Sequence, residues 1–357
     1  MKQKPVLITG GAGFVGRHLV KGLLERGVKD IWIVDDFSTG QLPEKWLSKR
    51  WKKNKSSNVT IYTKGQQKIH LIKADALHFF HDIALSKKKD ILPAFGDVFH
   101  LASIVGGRAL IEGDPILVAK DLAIDAAFFL WVTRNPKKVG RVLYASSSAA
   151  YPIHLQGTKG AIALSESEID FRPGAFGVPD LTYGWSKLTG EFLARLVHEK
   201  YGIHIACIRP FSGYGEDQDL TYPTPSIALR VARGDDPIEV WGSGKQGRDF
   251  VHIDDCVDAF FVILDNVSDG RGINIGSGKL TSFIELIEIK LKLEGRRARI
   301  RPLSTKPVGV AARYADTKFL FKTIGWRPRI SIEEGMRRML EASRERLKGN
   351  RLPFRIP

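Results

Sequence analysis

A phenol and an ammonium lie four residues apart at Tyr183 and Lys187, in the stretch YGWSK. On a helix that spacing places both side chains on one face. A free phenol has a pKa of about 10 and is a poor base at neutral pH. A nearby positive charge stabilises the phenolate, and lowering the pKa by roughly three units takes about 4 kcal/mol of differential interaction. Such a pair can move a proton to and from a hydroxyl group. A serine run, Ser146-Ser147-Ser148, follows the apolar stretch RVLY at 141–144 and reads as the rim of a strand end. YxxxK alone is common by chance, so its weight depends on what surrounds it.

What surrounds it is a dinucleotide fingerprint. Gly10-Gly11-Ala12-Gly13-Phe14-Val15-Gly16 follows the strand-like run PVLIT (5–9) and opens a helical pattern. Glycines there allow a tight turn and let the backbone approach a pyrophosphate at a helix N-terminus. The next strand ends at Asp35-Asp36, 19 residues after Gly16. A carboxylate at that point accepts hydrogen bonds from ribose hydroxyls and repels a 2′-phosphate, which favours NAD over NADP. A positive nicotinamide ring would add to Lys187 in stabilising a Tyr183 phenolate. Asp75, with Ala76 after it, is a candidate for the adenine edge; the alternative for Asp75 is a helix N-cap.

These groups need a scaffold at strand ends. Apolar runs at 5–9, 31–34, 69–73, 97–102, 141–146 and 204–210 alternate with helical patterns at 14–26, 115–135 and 183–201. Short, continuously apolar strands between helices predict a parallel sheet buried on both faces. The expected fold is α/β: a doubly wound NAD-binding Rossmann unit over 1–210. A smaller α/β substrate unit comes mainly from 211–357, with some elements crossing between the two. Further helices are expected near 223–233, 254–264, 281–292 and 331–347. Helices 115–135 and 183–201 are apolar on more than one face, which points to a helix-bundle homodimer or to burial against the sheet alone.

Length and composition set the outer limits. The chain has 357 residues, of which 43% are hydrophobic, enough for a large core. Its net charge of +16 attracts anions, including nucleotides, phosphosugars, nucleic acids and acidic lipids, without choosing among them. Residues 41–68 hold KWLSKRWKKNKSSN, read as a solvated excursion over packed tryptophans in preference to a nucleic-acid contact. Cys207 and Cys256 form neither a disulfide framework nor a metal-binding spacing, and read as core thiols in the cytoplasm. No signal peptide is expected, and no apolar run approaches the ~18 residues of a membrane span.

Taken together, these motifs resemble the nucleotide-sugar epimerases and dehydratases of the extended short-chain dehydrogenase/reductase superfamily, over nearly the whole chain. HLAS (100–103), with Leu101 and Ala102, is similar to the family loop beside the nicotinamide. RPFSGYG (209–215), with Phe211 and Ser212, resembles the family's RPxNxYG turn. GSGKQGRDFVHIDD (242–255) resembles its RDF signature, and KPVGVAARYAD (306–316) the segment closing over the substrate phosphates. The resemblance implies a nucleotide-diphosphate sugar as substrate. Its diphosphate would fall to Arg248, with Lys306 or Arg313 as a second cation, guanidinium forks suiting phosphate oxygens. The alternative for Arg248 is a salt bridge to Asp249 or Asp254. VGG at 105–107, including Gly106, and PVGVAAR at 307–313 are most similar to the GDP-mannose 3,5-epimerase branch, and Tyr151-Pro152 resembles both that branch and the fucose synthases.

Departures from the family narrow the chemistry. By resemblance the acting hydroxyl is Ser147, four residues before Tyr151. The two positions after it carry Asp-Glu in 4,6-dehydratases, a glutamate second in decarboxylases and a cysteine second in 3,5-epimerases. Here they are Ser148 and Ala149, and alanine cannot move a proton. The 3,5-epimerase lysine would fall near Pro223. Ser147, Tyr183, Lys187 and NAD remain, a set sufficient for oxidation, turning of a keto-sugar and reduction on its other face. This favours 4-epimerisation. The alternatives are dehydration, decarboxylation or reduction by unconventional acids, or an NAD-bound RNA- or partner-binding protein. Ser212 and Asp121 stand where the family usually presents asparagine. Residues 153–181 could form a substrate-facing loop or a structural connection.

Overall fold

The computed structural model of the chain describes residues 4–56, 58–85, 87, 91–157, 161–175, 177–350 and 354–357. The strands of its main sheet are β1 (Val6–Thr9), β2 (Asp30–Asp35), β3 (Lys52–Lys55), β4 (Thr60–Lys64), β5 (Gln67–Lys73), β6 (Phe95–His100), β7 (Val139–Ala145), β8 (His204–Pro210) and the strand Asp269–Ile275. The spatial order runs from Asp269–Ile275 through β8, β7, β6, β1, β2, β5 and β4 to β3. Every pairing from Asp269–Ile275 to β5 is parallel. The last two, β5 to β4 and β4 to β3, are antiparallel.

The alternation along β1 shows how both faces are covered. Val6 and Ile8 enter one core, with residues of the helices Phe14–Glu25 and Ile253–Asn266. Leu7 enters the other, beneath Ala76–Ala84, Lys120–Arg134 and Leu181–Tyr201. Phe128 and Trp131 of that second core are fully buried, and each contributes about 2–3 kcal/mol by leaving water. The 115–135 pattern is divided: Asp114 caps a short helix Pro115–Val118, and Lys120–Arg134 follows.

Beyond residue 210, a third core joins the helices Pro223–Arg233, Phe283–Leu293 and Ile332–Leu347 to the parallel strand pair Ile238–Trp241 and Ile300–Leu303. Ser282 and Glu285 form a capping box that sets where Phe283–Leu293 starts. The edge strand Asp269–Ile275 and the helix Ile253–Asn266 return to the main sheet.

The basic excursion holds more order than its charge pattern indicates. It forms β3 and β4, which extend the sheet, while Trp46 and Trp51 are buried beneath as expected. Lys52, Lys53 and Lys55 are exposed on β3, and charge on an edge strand opposes pairing with another sheet. Cys207 and Cys256 are buried free thiols. Among the described residues no helix is long and apolar enough to cross a membrane.

Candidate functional site

The strand order reverses at β1, between β6 and β2, so a crevice opens at the carboxyl ends of β1 and β6. Gly10 turns there with φ 70°, and a Cβ on it would stand 2.9 Å from the backbone nitrogen of Ala102. A Cβ on Gly16 would stand 2.3 Å from the Gly10 carbonyl oxygen. Gly13 caps the helix Phe14–Glu25 without any side chain, leaving its first N–H groups available to an anion. Asp35 is buried at the end of β2 and accepts from Ala12 N at 2.9 Å and Phe37 N at 2.8 Å. Burial pushes its carboxyl above the usual range, against the two N–H groups that hold it down. Asp36 is exposed and accepts from Ser38 N. The cradle is therefore tied to Asp35 directly.

Asp75 caps Ala76–Ala84, accepting from His78 N at 3.2 Å, and pairs with Lys120 at 2.6 Å. Burial would raise its pKa, but Lys120 and the His78 N–H hold it lower. Ala76 is buried as the first residue of that helix. Leu101 N and Ala102 N both donate to Thr9 Oγ1, fixing the HLAS loop over the crevice. Phe211 packs with Tyr151, Leu164 and Ala315.

The three serines have three fates. Ser146 is buried and donates to Glu191, which also holds Arg209. Ser148 is buried in a 3-10 turn. Ser147 alone stays partly exposed, accepts from Ala149 N and hydrogen-bonds the Tyr183 phenol. Lys187 Nζ lies 5.8 Å from the Tyr183 ring centre. Beneath Lys187 runs a buried chain: Thr9 Oγ1 to His100 Nδ1 at 2.8 Å, His100 Nε2 to Asp125 at 3.1 Å, and Tyr144 OH donating to Asp125 at 2.5 Å. Asp121 accepts from Ser103 Oγ and Ile104 N, each at 2.6 Å. Both carboxylates, with Tyr183, hold the Lys187 ammonium in its charged form despite burial.

At Tyr183 the Lys187 charge acts against burial. Lys187 does favour the phenolate, and so does Ser147, but the Tyr183 pKa is raised overall. Burial is the largest cause, and the negative charges of Asp121 and Asp125 add to it. The ammonium alone does not make this tyrosine a base.

At the start of the tyrosine helix lies a cluster of cations. Arg108 Nη1 donates to both oxygens of Asp180, at 2.9 and 3.0 Å, and Arg313 Nη2 donates to Asp180 Oδ2 at 2.8 Å. Arg313 Nε also reaches Gln156, whose amide donates to the carbonyls of Tyr151 and Pro152. Arg248 and Arg313 are register partners on adjacent parallel strands. Burial, then the Arg313 guanidinium, push the Arg248 pKa down to about 9. Among the described residues Arg248 bonds the carbonyls of Gly247 and Val308, Asp249 is occupied by Ser277, Gly278 and Ala315, and Asp254 pairs with His18, His252 and Arg338, so the salt-bridge alternative for Arg248 does not form there. Lys306 stands apart, exposed over the Trp241 ring. Gly106 lies against Leu110, and Ser212 N donates to the Asp249 carbonyl.

Asp180 N donates to the carbonyl of Ala149, which sets that alanine beside the backbone of Asp180. Burial would raise its pKa, but Arg313 and Arg108 hold it below the usual range, so it stays ionised and is no proton donor. The backbone here is strained: Leu181 takes φ 53°, which costs a non-glycine residue about 1–2 kcal/mol. Arg108 and Asp180 were not identified from sequence. The available signal was only that Arg108 directly follows VGG. Residues 153–181 make structural connections, since the Glu166 carbonyl accepts from Arg209, its carboxylate accepts from Asn274 N, and Gln156 holds Arg313; residues 158–160 and 176 of that stretch lie outside the described residues.

Comparison with known proteins agrees with this architecture. Residues 6–276 match the NAD dependent epimerase/dehydratase family. The chain is 28% identical to the UDP-glucuronate 4-epimerase of Thermodesulfobacterium geofontis, covering 96% of this chain and 97% of that one. It is 26% identical to the GDP-mannose 3,5-epimerase of Arabidopsis thaliana, over 93% of this chain and 80% of that one. The fold superposes on a UDP-glucose 4-epimerase from Thermotoga maritima with TM-score 0.76 at 22% identity, covering 96% and 99% of the two chains. The glycine cradle, the Asp35 tie and the uncapped helix start fit NAD, and the chain belongs to the NAD dependent epimerase/dehydratase family of enzymes.

Proposed function

We propose that the protein interconverts the C4 epimers of a nucleotide-diphosphate hexose through a transient keto-sugar. The observation that carries this reading is the wall beside Tyr183. Ser147 and Lys187 converge on the phenol, while the second position after Ser147 holds the buried Ala149. Tyr183 takes the proton of the sugar hydroxyl and returns it, with Ser147 as hydrogen-bond bridge. Lys187 supplies fixed positive charge, itself held by Asp125 and Asp121. NAD, when bound, supplies a reversible hydride acceptor and a positive ring that completes the charge Tyr183 needs. Gly10, Gly13, Phe14, Val15, Gly16, Asp35 and Asp36 would hold it, with Asp75, Ala76, Leu101, Ala102 and Phe211 around its two ends. Arg248 and Arg313 would take the diphosphate, with Gly106, Ser212 and Lys306 lining the approach. The relatives that are 4-epimerases of UDP-sugars support this reading.

The same reading extends to assembly and location. The NAD unit is assigned to 1–210 and the sugar-nucleotide unit mainly to 211–357. Leu122, Ala123, Ala126 and Phe192 form an uncharged, solvent-facing surface across the two adjacent helices, suited to a second copy in an isologous dimer. Sedimentation should give a dimer, and Phe192→Glu should give a monomer. Two buried thiols with no disulfide suit the cytoplasm.

The test is turnover of a panel of UDP-, GDP- and dTDP-hexoses by the purified protein. Interconversion of C4 epimers without net NADH supports the proposal. Loss of water or carbon dioxide, or stoichiometric NADH consumption, replaces it with a dehydratase, decarboxylase or reductase. Inertness to every sugar together with RNA binding would sink all the enzyme readings.

A further inference from the structure

Residues 354–357 run across the excursion of 41–68 as an extended strap. Phe354 and Ile356 pack on the core while Arg355 is exposed, the alternation of a strand. Ile356 shares a core with Trp46, Leu47 and Trp51 and forms a parallel bridge with Leu47. Ile356 N donates to the Trp46 carbonyl at 2.8 Å, and Ser48 N donates to the Ile356 carbonyl at 2.9 Å. The Pro357 oxygen accepts from Trp51 Nε1 at 3.2 Å and from Lys64 Nζ at 2.7 Å. The strap thus clasps the excursion near its start and at the end of β4. Phe354 reaches the helix Phe14–Glu25. Its ring centre lies 4.2 Å from that of His18, with the Arg17 guanidinium 5.9 Å away.

Both grips lead to the glycine turn. The Ala12 carbonyl accepts from Arg17 Nη1 and from Gln41 N, each at 2.9 Å. Arg17 is buried, and its other end donates to Asp217 at 2.7 Å. The Gln41 carbonyl accepts from Trp46 Nε1 at 2.8 Å, so the tryptophan that the strap holds also holds Gln41. Between Asp35 and Gln41 the chain is forced. Phe37 takes φ 63°, in the left-handed region. A Cβ on Gly40 would stand 2.8 Å from Asp35 Oδ1 and 3.0 Å from the Ala12 Cβ. A backbone of this kind persists only where its surroundings over-determine it. Here one end is fixed by β2 and the other by the residues under the strap.

We infer that Phe354 and Ile356 are positioning residues for NAD. The strap holds the loop 36–41 and the Ala12 turn in the form that receives the adenosine ribose and the pyrophosphate, and bound NAD in return holds the strap. Coupling of this kind is reciprocal: if seating the strap tightens NAD, NAD must tighten the strap by the same factor. The excursion then has a role that its charge does not give it, which is to carry the grip of the strap to the cofactor. The coupling concerns the cofactor alone and holds whichever sugar reaction follows.

The test compares the full chain freed of NAD with the NAD-loaded chain by amide hydrogen exchange. Ser48 N and Ile356 N, the two backbone donors of the strap, should exchange about tenfold more slowly with NAD bound. Unchanged exchange at both would overturn the coupling and leave the strap as packing only. Calorimetry on variants reads the converse. Phe354→Ala and Ile356→Ala should each weaken NAD about tenfold, and Ile356→Val should keep near wild-type affinity. Exchange at the Leu286 and Met339 amides, in the third core, should stay as in the wild type. NAD affinity within about twofold of wild type in both alanine variants would overturn the coupling. So would weakening confined to variants whose third core has lost protection, since that is general unfolding. The wild-type comparison needs no substitution, so it decides even where a variant fails to fold.

Discussion

Two ionic clusters meet at the start of the helix Leu181–Tyr201 and are built differently. The inner one, Thr9, His100, Asp125 and Tyr144 around Lys187, is a closed chain in which each polar group answers another. The outer one, Arg108, Arg248 and Arg313 around Asp180, leaves guanidinium donors open and carries more positive charge than it neutralises. A closed network fixes the position and charge of a catalytic group. Only Leu181 and Thr182 separate Asp180 from Tyr183, so the two clusters meet within the first turn of one helix.

The comparison breaks most visibly at Tyr183. Tyr183→Phe should lower kcat at least a hundredfold while NAD affinity is retained, and near-normal turnover would remove the assigned proton transfer. Next come paired losses of stability. Asp125→Asn, which removes the larger of the two carboxylate contributions that hold the Lys187 charge, should cost about 2–3 kcal/mol in urea unfolding. Asp180→Asn, in the open cluster, should cost about 1 kcal/mol; equal costs would mean the two clusters do not differ as described. Arg248→Gln should raise KM for the nucleotide sugar about tenfold with little change in kcat, since it removes a charge-assisted contact made in ground and transition states alike.

The smallest effect concerns pH. The Asp121 charge raises the pKa of Tyr183, and a base must be deprotonated to act. Asp121→Asn should therefore shift the acidic limb of the kcat profile to lower pH. A shift to higher pH would show that Asp121 acts through the Ser103–Ile104 loop it holds and not through its charge.

The glycine cradle, Asp35 and the YxxxK pair were legible in sequence because each is a local pattern read off one turn or strand end. The parallel strands were legible because burial on both faces leaves continuous apolar runs. β3 was not, because its lysines follow the chemistry of an exposed edge and read as a solvated charge run. The Arg108–Asp180–Arg313 cluster was also hidden. Its members meet only through tertiary structure, 72 and 133 residues apart along the chain. The net rise of the Tyr183 pKa was hidden for the same reason, as burial and the charges of Asp121 and Asp125 both come from tertiary structure.

The central claim is that Ala149, with the neighbouring Asp180 carboxylate engaged by Arg108 and Arg313, leaves among the described residues no proton-exchanging group at the position after Ser148. It is tested most directly by running the reaction to equilibrium in D₂O and reading the sugar by NMR. The account predicts C4 epimers with no deuterium on any ring carbon, because only the hydroxyl proton passes through Tyr183. Deuterium at C3 or C5 would contradict it, and would show that this site moves carbon-bound protons despite the methyl group at 149.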